Sequence, residues 1–120
     1  MNIEPEETSQ LIAADRVDGT NLYGRNGDKA GTVKSVMINK RTGRVEHVVA
    51  DIGSFLGMGG ELHTLPWNRL DYDTNLNGYR MNVTDDQLKE GPTLNDTNNR
   101  FSRDYEDRVY GHYGSTPYYA

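Results

Sequence analysis

The chain has 120 residues, of which 34% are hydrophobic, and a mean hydropathy of −0.83. That length holds one domain with a short appendage, around a core thin enough that self-association is expected. The formal charge of −5 is uneven, since Glu4, Glu6 and Glu7 lie together whereas residues 11–92 carry ten Lys/Arg against eleven Asp/Glu, so the sequence pI near 5.1 speaks against generic nucleic-acid binding but allows a local basic patch; with no cysteine, disulfides, thiolate nucleophiles and Cys-ligated zinc are excluded.

Residues 1–10 are acidic and polar and are expected to be flexible. They hold no basic and apolar leader, and nowhere do about 18 apolar residues run together, so a cytoplasmic protein without membrane insertion is expected. Val17 to Tyr23 reads as a first strand, ending at a turn over Gly24–Gly27 in which Asn26-Gly27 supplies positive φ. Gly31 opens the most legible segment, the long hairpin from Thr32 to Ile52. Val33 precedes Val36 by three residues, after which Val36 and Ile38 alternate with Met37 and Asn39, a change of face that predicts a β-bulge. The turn runs from Asn39 to Arg44, with Gly43 suited to a left-handed conformation. On the return strand Val48, Ala50 and Ile52 share one face and Val45, His47 and Val49 the other; one lines the interior and the second meets a partner or the tail.

Glu61 to Pro66 is predicted as a strand that continues through Trp67 to Tyr72, and Asn75–Gly78 turns the chain into a strand over Tyr79 to Val83. Trp67, Tyr72 and Tyr79 are expected to pack the barrel. Thr84 and Gln87 have the spacing of a capping box for a short helix ended by Gly91-Pro92. Beyond an Asn- and Thr-rich linker, Phe101, Tyr105 and Val109 recur every four residues, the stripe of an amphipathic helix. The run after Gly111 is too aromatic for a free linker. The expected fold is all-β (β-dominated): a small β-barrel over 11–92 closed by one short helix, followed by an aromatic extension over 93–120 containing a second.

The order of LIAADRVDGTNLYGRNGDKAGTVKSVMIN, GRVEHVVADIG, FLGMGG with ELHTLPWNRLDYD, and TDDQLKEGP resembles the PRC-barrel family over Leu11 to Leu94. That family is named for the cytoplasmic domain of the photosynthetic reaction-centre H subunit and is related to the C-terminal domain of a bacterial ribosome-maturation factor. The tail is similar to extensions on stand-alone bacterial members. The resemblance implies a compact barrel for contacts with proteins or ribonucleoprotein, commonly self-associating, with no enzymatic activity established for the fold.

Candidate site residues follow from chemistry. Phe55, Leu56 and Met58 are apolar residues in a glycine-rich loop, the composition of a protein interface rather than a phosphate cradle, because no Lys-Ser/Thr pair or helix follows. Phe101, Tyr105, Val109, Tyr110, Tyr113, Tyr118 and Tyr119 form a second apolar set; were it to cross to another subunit, it would clasp a homodimer. Lys40, Arg41 and Arg44 cluster at one hairpin tip, either as a solvated turn or as candidate contacts to RNA phosphate or to an acidic protein surface. Asp73, Asn75, Asn77 and Gly78 imitate a calcium loop, but Thr84 stands where such loops need a bidentate Glu. His47, His63 and His112 lack metal spacing; His47 is expected to be satisfied locally, and a convergence of His63 with Asp51 or Glu61 stays open but, without a nucleophile motif, gives no expectation of catalysis. The sequence reads as a non-catalytic, cofactor-free and metal-free module that self-associates and binds an unidentified protein. An RNA- or ribosome-associated factor, and a small-molecule binder or enzyme, are the alternatives.

Overall fold

The computed structural model describes residues 10–53, 61–94 and 102–120; the Phe55/Leu56/Met58 loop and Phe101 lie outside them. After a single helical turn, α1 (Ala14–Val17), come β1 (Asn21–Tyr23), β2 (Lys29–Ile38), β3 (Val45–Ile52), β4 (Glu61–Pro66), β5 (Leu70–Asp73) and β6 (Gly78–Met81), then the helices α2 (Asp85–Glu90) and α3 (Arg103–Tyr113). The strands form one sheet in the order β4-β3-β2-β1-β6-β5, curled into a half-barrel. Neighbours are antiparallel except β1 and β6, which run parallel.

The long hairpin organises this sheet. Val36 pairs with Val48 and Gly31 with Ile52, and the register slips between Val33 and Ser35, where the valine spacing predicts a bulge. Gly31 is required at its crossing, because a Cβ there would lie 2.1 Å from the Asp51 carbonyl oxygen. The interior face of β3, Val48, Ala50 and Ile52, joins Leu22, Leu65, Met81, Val83 and Leu88 in the core. Each fully buried Leu, Ile or Val side chain stabilises by roughly 1.5–3 kcal/mol relative to an exposed one.

Three boundaries differ from the sequence reading. Val17 ends α1 rather than starting a strand: Gly19 turns the chain at φ 82 with its N–H donating to the Val33 carbonyl, and the strand begins only at Asn21. After Pro66, Trp67–Arg69 make a 3₁₀ turn instead of continuing β4, which sets the Trp67 ring 5.3 Å from that of Tyr79. Tyr72 stays 37% exposed, so it borders the core rather than filling it.

Thr84 forms the expected capping box, accepting from the Gln87 N–H at 3.0 Å while Gln87 Oε1 accepts from the Thr84 N–H at 2.8 Å. Helix α3 starts at Ser102, whose hydroxyl accepts from the Tyr105 N–H, and runs through Gly111 to end at Gly114, which takes a left-handed φ of 65.

Candidate functional site

The strand face opposite the core is where the tail docks. Along β3 and β4 the side chains alternate, so His47 and Val49 pair across with Pro66 and Thr64 on the outer face. Tyr105, Val109, Tyr110 and Tyr113 of α3 are buried, with Tyr105, Val109 and Tyr113 packed into the core cluster. Tyr105 Oη donates to Thr64 Oγ1 at 2.8 Å and Tyr110 Oη to the Glu46 carbonyl at 3.4 Å. The helix's far end is held by His112 Nε2 at 2.7 Å from the Gln87 carbonyl oxygen and by an Arg69 guanidinium donating to the Tyr113 carbonyl.

At the middle of this contact lies a buried polar link that the sequence reading missed. His47, 3% exposed, places Nε2 3.3 Å from Glu106 Oε2, and Tyr118 Oη donates to the same oxygen at 2.7 Å. The Arg103 Nε lies 3.5 Å from Glu106 Oε1. Burial pulls the His47 pKa below the usual histidine range despite the opposing pull of Glu106, so near neutral pH the imidazole is neutral. The partner of His47 Nε2 is therefore a residue 59 positions away, not a local one. The one available signal was spacing: Glu106, Val109, Tyr110 and Tyr113 fall on one helical stripe, and an acidic residue inside an apolar stripe asks for a buried partner.

His63 faces the interior, paired with Ala50 and 1% exposed. Among the described residues neither of its ring nitrogens has a hydrogen-bond partner, and burial lowers its pKa. Asp73 binds Arg80 at 2.8 Å and accepts from the Asn75 N–H at 2.9 Å, in a hairpin turn whose Asn77 has φ 52. The calcium-loop imitation is thus an Asx turn between β5 and β6. Among the described residues no three His, Asp or Glu side chains gather as a metal site.

The β2–β3 tip is a built turn. Asn39 Oδ1 accepts from the N–H groups of Arg41 (2.9 Å) and Thr42 (3.3 Å), Thr42 Oγ1 accepts from the Arg44 N–H, and Gly43 sits at φ 76. The tip and the end of the tail meet at one end of the molecule, a proximity sequence order conceals. A cleft of about 640 Å³ there is lined by Arg44, Trp67, Asn68, Tyr110 and Tyr118, and a neighbouring one of about 500 Å³ by Ile38, Lys40, Arg41, Tyr118 and Tyr119. Asn39, Glu46 and Tyr118 border both. Tyr118 is 42% exposed and Ile38 47% exposed.

The carboxylates at this end are engaged within the chain. Glu46 accepts from Asn39 Nδ2 at 2.9 Å, Glu106 is held as described, and Asp107 accepts from Tyr119 Oη. Arg103 stacks over the Tyr119 ring at 3.6 Å. By contrast Lys40, Arg41 and Arg44 are exposed and have no carboxylate within ion-pair distance among the described residues.

The half-barrel itself matches the family model for the PRC-barrel domain over residues 10–88. The chain belongs to the PRC-barrel family. An uncharacterized protein of Deinococcus radiodurans is 33% identical to it over 72 residues, a stretch that covers 60% of this chain and 25% of that protein. This PRC-barrel chain thus matches about a quarter of its relative's length. Helix α3 and the C-terminal tyrosines lie beyond the family match, so each cleft joins a wall from the PRC-barrel to a wall from its extension. No helix among the described residues is long and apolar enough to cross a membrane.

Proposed function

We propose that this PRC-barrel chain is a non-catalytic recognition module and that its binding surface is the end where the β2–β3 tip meets the C-terminal tail. The observation that supports this reading is the pair of clefts sharing the Tyr118 ring, with the exposed cations of the tip, which have no ion pair among the described residues, on their rims. Arg, Trp and Tyr are the residues that carry most binding energy at protein interfaces, and Arg44, Trp67 and Tyr118 line one cleft together. The titratable groups most suited to acid–base chemistry, His47, Glu106 and His63, are each 6% exposed or less, sealed from a substrate. In the first of these clefts Tyr110 packs within the chain while Tyr118 remains outward, so the aromatic tail serves the surface mainly through its last turn.

The test is capture from a bacterial lysate on the immobilised full chain, against a variant carrying Lys40→Glu, Arg41→Glu and Arg44→Glu. Macromolecules retained by the parent and lost by the variant are the expected result; identical retention by both would remove the tip from the binding surface.

A further inference from the structure

The chemistry of the two clefts narrows the partner, and this step rests on the recognition reading above. We infer that the occupant is an acidic peptide segment carrying apolar side chains, lying across the tip with carboxylates on Lys40 and Arg41 to one side and Arg44 to the other. Three features argue for it. The cations are exposed and, among the described residues, have no carboxylate within ion-pair distance. The tip therefore offers positive charge to an anionic ligand even in a chain of net charge −5.

The walls between those cations are rings and aliphatic groups: half-buried Trp67, exposed Tyr118 and exposed Ile38. Such walls receive an apolar side chain, which a carboxylate-rich peptide can supply beside its charges. Finally, Glu46 borders both clefts. A peptide brings backbone N–H donors from which this carboxylate can accept, which phosphodiester groups lack; the peptide's own carboxylates then sit away from Glu46, on the tip cations. The overall negative charge acts in the same direction, since its long-range field disfavours a long polyanion more than a short acidic stretch.

The experiment uses the full chain and a fluorescently labelled short peptide of Asp and Glu interrupted by Phe, read by anisotropy, with emission of Trp67, the only tryptophan, as a reporter inside the cleft. Controls are the same peptide with Lys for its acidic residues, the same with Ala for Phe, and an oligouridylate. The acidic peptide is expected to bind saturably and shift Trp67 emission, to weaken with added salt, and to lose about tenfold or more in affinity in Lys40→Glu/Arg44→Glu. The Ala-substituted peptide is expected to bind several-fold more weakly.

Those two substitutions are on exposed tip side chains, and an unchanged melting temperature shows that the variant is folded. Absence of saturable binding, binding indifferent to the charge reversal, or equal binding of the Lys peptide overturns the inference. Tighter, tip-dependent binding of oligouridylate also overturns it, in favour of a nucleic-acid partner, and leaves the recognition surface standing. Loss of tip-dependent capture from lysate is the separate result that brings down the recognition reading itself.

Discussion

Gly91 and Tyr113 compete for one space. A Cβ on Gly91 would lie 2.3 Å from the Tyr113 hydroxyl and 3.2 Å from both the Gln87 carbonyl oxygen and Tyr113 Cζ. Its backbone φ of −71 is one any residue adopts, so the glycine is required by packing and not by conformation. Tyr113 is 1% exposed, and its hydroxyl has no hydrogen-bond partner among the described residues. Gly91→Ala is therefore expected to destabilise by about 1–3 kcal/mol through overpacking, lowering the melting temperature by several degrees. Tyr113→Phe removes the clashing oxygen together with a buried unsatisfied group, so it is expected to cost little alone and to recover part of the loss in the double variant. Additive losses, read by thermal denaturation of all four proteins, would show that the hydroxyl is not the obstacle.

At the scale of elements, α3 is the part whose removal says most. It covers the outer face carried by His47, Val49 and Thr64, and it supplies Glu106 and Tyr105 to the polar groups there. A chain ending at Pro92 is expected to melt several degrees lower, because that face would be returned to water and the His47 link lost. Its mass in solution is expected to rise with concentration, since an uncovered apolar strand face invites pairing with a second copy. The full chain, its sheet closed by its own tail, is expected to hold one mass across the same dilution series. Light scattering on both chains decides: association of the full chain that disappears on truncation would mean that the tail works between copies.

For the whole molecule, two buried histidines couple folding to pH. Burial lowers the pKa of both His47 and His63 from the ordinary 6.5. Above that value neither the folded nor the unfolded chain is protonated at these rings, and they contribute no pH dependence. As pH falls below about 6.5 the unfolded chain takes up protons that the folded chain refuses, so stability declines until the lowered folded-state values are reached. The slope is at most about 1.4 kcal/mol per pH unit for each histidine. Denaturant unfolding between pH 7.5 and pH 5 is expected to show this decline, and His63→Leu, which exchanges an imidazole without hydrogen-bond partners among the described residues for an aliphatic group of similar reach, is expected to flatten it. A decline unaltered by that substitution would assign the acid sensitivity to other groups.

The sequence alone determined the elements whose causes are local. The hairpin, its bulge, the Gly43 turn, the capping box of α2 and the amphipathic stripe of α3 each follow from side chains within a few positions of one another, where alternation, φ preference and capping act. The Val17 and Trp67 boundaries were misread because Asp18-Gly19 and Pro66-Trp67 turn the chain to meet contacts made far away, Val33 for Gly19 and Tyr79 for Trp67. Of the candidate site, Lys40, Arg41 and Arg44 were legible as a basic tip and Tyr118 only as one member of the tail's apolar set. That they stand at one end of the molecule, that Tyr105, Val109, Tyr110 and Tyr113 are buried within the chain, and that His47 meets Glu106 were decided only by the tertiary structure. Those relations depend on how a helix separated from the sheet by a linker comes to rest on it, and no local preference records where a docking helix will lie.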